Sequence, residues 1–149
     1  MTDSDCIADR QWLPSIAQRL ADPRIQLALG SRRPRHDNGL LRLLCNYEDA
    51  KAAATIGVSS AEAQYGSTHN MAVQRSTLDK YRPLVDNQRG GDTVLMRNIV
   101  DGEGVACATC DPQIRVIHAE PASTGTYWRK AFSYGSSFNR YRPSVRHSR

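Results

Sequence analysis

The chain has 149 residues, with 20 Lys or Arg against 15 Asp or Glu, a net charge of +5 and a pI near 9.3. That length suits one domain with a core of about two layers, and no run of about 18 apolar residues is present to make a membrane helix. The opening residues include Asp3, Asp5 and Asp9 rather than a basic segment followed by an apolar one, so a standard secretory signal is not expected and the expected location is cytoplasmic. Four cysteines, Cys6, Cys45, Cys107 and Cys110, show no spacing of a disulfide framework, and reduced thiols are expected.

Residues from Ser4 to Ala21 read as a helix, with Ser4 or Asp5 as N-cap and an apolar stripe of Leu13, Ile16, Ala17 and Leu20. Pro14 either kinks that helix or lies in the first turn of one that begins near Leu13. A short helix is expected from Pro23 to Leu29, stopping at Gly30, followed by a polar, basic loop from Ser31 to Gly39. Leu40 to Ile56 is the strongest helical stretch and the expected cover for a sheet. Ser59 to Tyr65 and Thr68 to Tyr81 read as further helices, the second ended by Pro83, and Gly90-Gly91 marks a seam.

Beyond that seam, Thr93 to Val100, Val105 to Cys110, Ile114 to Glu120 and Thr126 to Tyr134 are rich in Val, Ile, Thr and aromatic residues, as strands are. Asp101-Gly102-Glu103-Gly104, Asp111-Pro112-Gln113 and Pro121 to Gly125 supply turn signals between them. Alternation then places Leu95, Ile99, Ile114, Val116, His118, Trp128 and Phe132 on one core-like face. The expected fold is α+β. An N-terminal helical half over residues 1–89 packs on a C-terminal four-stranded antiparallel meander over 91–132 as one domain, and 133–149 form a basic tail.

Several constellations carry candidate chemistry. Ala53, Ile56, Gly57, Val58 and Ala63 have the spacing of small and apolar residues around a turn glycine, and this stretch resembles the centre of a helix-turn-helix. That resemblance implies a DNA-binding regulator, although Ser59, Ser60, Glu62 and Gln64 offer little positive charge to a groove. Cys107-Ala108-Thr109-Cys110 is a CxxC, a weak zinc candidate, since residues three apart on a straight strand point to opposite faces. His118-Ala119-Glu120 resembles the His-x-Glu of zinc-dependent nucleobase deaminases. In that family the cysteine pair follows the motif, whereas here it precedes it, and Pro121 stands where a helix should continue. His118 and Glu120 on one strand face, near Lys130 and Trp128, could instead serve acid–base work in a small hydrolase or nuclease. Cys6 and His118 have the residue types of a nucleophile–base pair, with Cys6 in a helix first turn that favours thiolate. No cofactor is expected.

The last 29 residues contain no acidic residue. They place Tyr134, Phe138 and Tyr141 among Arg129, Lys130, Arg140, Arg142, Arg146 and Arg149. Arg for phosphate and aromatic rings for base stacking is the composition of a single-stranded or structured-RNA contact. The leading expectation is a non-catalytic subunit of a larger assembly, such as a ribonucleoprotein, a virus particle or a multi-subunit complex. Its partners would be nucleic acid or other protein subunits, contacted through this tail. The regulator and the hydrolase are the alternatives.

Overall fold

The computed structural model describes residues 1–35, 38–56, 64–81, 90–119 and 122–141, the stretch 134–141 as helical backbone alone. The chain runs β1 (Cys6–Ala8), α1 (Trp12–Leu20), β2 (Leu27–Pro34), α2 (Gly39–Thr55), β3 (Met71–Val73), α3 (Arg75–Lys80), α4 (Gly91–Glu103), β4 (Ala108–His118) and α5 (Thr124–Tyr141). Short 3-10 turns precede β3 at Thr68–Asn70 and β4 at Val105–Cys107. The four strands form one mixed sheet in the order β1-β4-β2-β3, curled as a half-barrel. The central pair β2–β4 is parallel, and β1 and β3 are antiparallel edges.

The α+β class stands, but the antiparallel meander does not form, and the helices are interspersed with the strands rather than gathered in an N-terminal half. Thr93 to Val100 lies inside α4, where Thr93, Val94, Leu95, Met96, Ile99 and Val100 are all buried. Four consecutive buried residues followed by two more at i+3 and i+4 is a helical pattern, and the β-branched content of the stretch is overridden by that packing. The glycines expected to turn a hairpin end this helix instead. Gly104 adopts φ 86° and its N–H bonds the Val100 carbonyl, a conformation costly for any residue with a Cβ. Thr126 to Tyr134 is also helical, within α5, where the Ser123 hydroxyl accepts from the Thr126 amide at 3.2 Å and starts the first turn.

In the N-terminal part, Cys6–Ala8 is a strand rather than helix, and α1 begins at Trp12 with Pro14 in its first turn, the second of the two placements considered above. Leu27, Ala28 and Leu29 were expected in a helix and form the start of β2, fully or nearly fully buried. A short apolar run between a proline and a glycine fits either element, and burial on both faces decides it. Ser31 to Pro34, expected in a loop, continue the same strand. Thr68 to Tyr81 divides into a 3-10 turn, β3 and α3. Only α2 follows its expectation closely, capped by Asn38, whose Oδ1 accepts from the Leu40 and Leu41 amides at 3.0 and 3.2 Å. Of the helix expected over 59–65, residues 59–63 lie outside the described residues, as does Pro83.

The core has two parts, one on each face of the sheet. Leu27, Leu29 and Met71 pack with Leu95, Met96, Ile99 and Val100 of α4, and Ala52 and Ile56 at the end of α2 join them. On the other face Ala28, Ala72 and Ile114 receive Trp12, Ile16 and Leu20 of α1. The expected Asp111-Pro112-Gln113 turn does not separate two strands. It is an irregularity within β4, where pairing jumps from Gly30↔Asp111 to Ser31↔Arg115 and leaves three residues of β4 without partners. Asp111 is nine-tenths buried there, its carboxylate accepting from Arg19 Nε and Nη2 at 2.9 and 2.5 Å and from the Gln113 amide at 2.8 Å. Burial pushes this carboxyl up, but the Gln113 and Arg19 bonds outweigh it and hold the pKa below the usual range.

Asn70, 2 % exposed, closes the opening. Its Nδ2 donates at 2.7 Å to both the Ser31 and Ile114 carbonyls, and its Oδ1 accepts from Trp12 Nε1 at 2.9 Å. A Cβ at Gly30 would collide with the Ile114 carbonyl and the Asn70 amide, so only glycine permits this approach.

Two substitutions test this arrangement. Asn70→Asp, nearly isosteric but unable to donate, is expected to lower unfolding stability by about 3 kcal/mol, and Gly30→Ala by a similar amount or more because its contact is with backbone. Urea denaturation followed by tryptophan fluorescence reads both; a midpoint unchanged in either variant contradicts the arrangement.

Candidate functional site

The antiparallel pairing of β1 with β4 sets Cys6 directly opposite His118, so their side chains leave the sheet on the same face. Asp5 reaches the same place because residues 3–6 turn, closed by the Cys6 amide on the Asp3 carbonyl at 3.1 Å, while the Ala119 amide holds the Asp5 carbonyl at 2.9 Å. Asp5 Oδ2 is 3.3 Å from His118 Nε2. One donor atom each from Asp5, Cys6 and His118 lies within 4.8 Å of the others.

Behind this group is a second imidazole. His69, 8 % exposed, stacks on His118 with ring centroids 5.5 Å apart and an interplanar angle of 22°. Its Nδ1 is engaged by the Ser67 hydroxyl, and its carbonyl accepts from Thr2 Oγ1 at 3.0 Å and from Cys6 Sγ at 3.5 Å. Arg32 lies close enough to act on both rings and is itself paired with Asp49 of α2, which accepts from the Arg32 amide at 2.9 Å and lies 3.4 Å from its Nε.

Burial is the main force on these groups. It drives the His69 pKa down to about 3, with help from the charges of Arg32 and His118. It also lowers that of His118, where Asp5 pulls the other way and Arg32 and Lys130 add to the fall. Both imidazoles are therefore neutral near pH 7. Burial likewise pushes the Cys6 thiol up, and Cys6 sits on a strand, not in the helix first turn that would favour a thiolate. An activated Cys–His nucleophile is thus not what the pairing makes.

The remaining sequence-derived candidates are dispersed. Cys107 is buried in the turn before β4, and Cys110 lies on β4; neither joins the Asp5–Cys6–His118 group. Glu120 lies outside the described residues, so its placement beside His118 has no counterpart here. Lys130 of α5 does act on His118, as the strand reading expected, but from a helix. Trp128 and Phe132, expected in the core, are 58 % and 82 % exposed. Arg129 is exposed beside them, and Tyr134, Phe138, Arg140 and Tyr141 lie on the backbone of the same helix. Arg142, Arg146 and the turn residues 57–63 of the helix-turn-helix reading are outside the described residues. Asp5, Arg32 and Asp49 carry no site signal in the sequence, and His69 stands there only as a candidate further ligand to the CxxC, because 60 or more residues separate His69 and His118 from the N-terminal segment they meet and no local pattern joins them.

No family model matches this sequence, and no curated protein matches it.

The sign of the histidine linkage is definite. A depressed folded-state pKa means the unfolded chain binds the extra proton first, so the stability contributed by keeping His69 and His118 neutral is complete above pH about 6.5 and is lost as pH falls, for His69 down to about 3. Asp49 and Asp92, whose carboxyls burial pushes up, contribute with the opposite sign. Thermal unfolding of chelator-treated protein is expected to show a loss approaching about 1.4 kcal/mol per pH unit below pH about 6.5, with a shallower slope in His69→Gln. A flat profile down to pH about 4.5 contradicts the assignment.

Proposed function

We propose that this chain is a non-catalytic subunit of a nucleic-acid-containing assembly, holding single-stranded or structured RNA with α5 and the residues after it. The observation that carries the reading is the outer surface of α5. Trp128 and Phe132, four residues apart and so on one side of the helix, stand exposed, and the adjacent Arg129 is exposed as well. They belong to a stretch of 29 residues that holds six Lys or Arg and no Asp or Glu. An exposed aromatic pair has no role in this body's core, whereas flat rings beside guanidinium groups suit bases and phosphates. Arg33 and Arg35, at the end of β2, are exposed as well.

Two further features support a binding subunit over an enzyme. Neutral stacked imidazoles provide no protonated acid for phosphodiester chemistry near neutral pH. And α2 exposes Leu40, Leu43 and Tyr47 in one row, an apolar surface of the kind that meets a neighbouring protein.

Binding of the full chain to labelled single-stranded RNA, hairpin RNA and duplex DNA across a salt series tests this. RNA binding is expected to weaken steeply with salt, and Arg129→Gln to flatten the slope by about one unit if its guanidinium meets a phosphate. Trp128→Ala with Phe132→Ala should cost about 1–3 kcal/mol per stacked base with the slope kept. Absence of binding to all three probes overturns the proposal and favours a protein partner on the α2 row.

A further inference from the structure

We propose that Asp5, Cys6 and His118 bind one divalent metal ion of the zinc class, fastening β1 to β4. This site is independent of the nucleic-acid reading and stands or falls separately.

The geometry comes from the fold, not from a sequence motif. Cys6 and His118 are cross-strand partners, and the turn over residues 3–6 brings the adjacent Asp5 carboxylate around to the same side. In a tetrahedral zinc site, with metal–ligand bonds of about 2.0–2.3 Å, donor atoms stand about 3.3–3.8 Å apart. The 3.3 Å between Asp5 Oδ2 and His118 Nε2 already has that value, and all three donors fall within 4.8 Å, inside the reach of small side-chain rotations. A carboxylate oxygen, a thiolate and an imidazole form a mixed donor set that suits zinc and excludes the all-oxygen shells of magnesium and calcium.

His118 presents its Nε2 to the same place. Its side chain is 9 % exposed, and Nε2 is the nitrogen that faces the Asp5 carboxylate, with the Cys6 thiol in the same group. A neutral imidazole is the metal-binding form.

Charge also closes. Thiolate and carboxylate bring two negative charges to a dication, and the nearby Arg32 is already matched by Asp49. His69 stacks on the ligating ring and orients it, while Ser67 occupies its Nδ1, so it supports the site without joining it. Water takes the fourth position. On binding, the Cys6 thiol releases its proton to solvent and its bond to the His69 carbonyl is exchanged for the metal.

The test uses the full chain, stripped with chelator and then titrated with Zn2+ by calorimetry and with Co2+ by absorption. One ion per chain is expected, with a thiolate-to-cobalt charge-transfer band. Zinc in excess should raise the melting temperature. Cys6→Ser should remove the charge-transfer band, and both it and Asp5→Asn should weaken binding at least ~10-fold. Cys110→Ser, on β4 but outside the group, should bind as the unaltered protein does. Asp5 is a third exposed and its replacement spares the core, so a folded variant is available even if His118→Gln unfolds. Absence of stoichiometric binding by the unaltered chain, or binding undiminished in both Cys6→Ser and Asp5→Asn, overturns the proposal.

Discussion

The hydrogen bonds of Asn70 are the constraint on which the rest of the architecture depends. One side-chain amide donates to carbonyls of two different strands and accepts from the indole of α1, at the point where the central pair loses register. The three unpaired residues of β4 are an odd number, so they exchange its two faces relative to β2. Without the irregularity Arg32 would pair with Gln113 instead of Val116, and His118 would no longer lie opposite Pro34. The face that receives Cys6 and His69 would then receive Ile117. A single buried amide therefore couples the helix on one side of the sheet to the polar cluster at its far end.

That cluster is expensive to bury. Two imidazoles, a guanidinium and a carboxylate leave water together, and each is tolerated for a separate reason. His69 and His118 shed their charge, while Arg32 keeps its own beside Asp49. The Asp49 carboxyl, pushed up by burial, is held back by the Arg32 amide and guanidinium. Since β1 is three residues long and pairs with β4 alone, it has little apolar surface of its own to keep it in place. Side chains leading from it into the cluster supply what its length does not.

Surface and interior divide the labour. The body keeps acidic and basic groups in matched pairs, as with Arg19 and Asp111, Arg32 and Asp49, and Lys80 and Glu103. The chain after Glu120 holds six Lys or Arg and no acidic residue of its own to match them. Tyr127 meets Glu48 of α2 at 3.4 Å, which ties the start of α5 to the body while Trp128 and Phe132 face solvent. Leu40, Leu43 and Tyr47 are exposed on α2, and Trp128, Arg129 and Phe132 on α5.

By itself the sequence determined what depends on neighbours a few residues apart. α2 follows from the long apolar-periodic run after Gly39, a first turn holding Pro14 was one of the two placements open to α1, and the basic character of the C-terminal stretch comes from simple counting. Only the tertiary structure decided the remainder. Thr93 to Val100 and Thr126 to Tyr134 carry strand-like residues, yet lie in helices: the first packs four successive side chains into the core, and the second runs on from a first turn in which the Ser123 hydroxyl accepts the Thr126 amide. Leu27 to Leu29 became the centre of a sheet because both faces were covered. The candidate metal site is the clearest case, for Cys6 and His118 are 112 positions apart and meet only through a ladder whose register no local preference specifies.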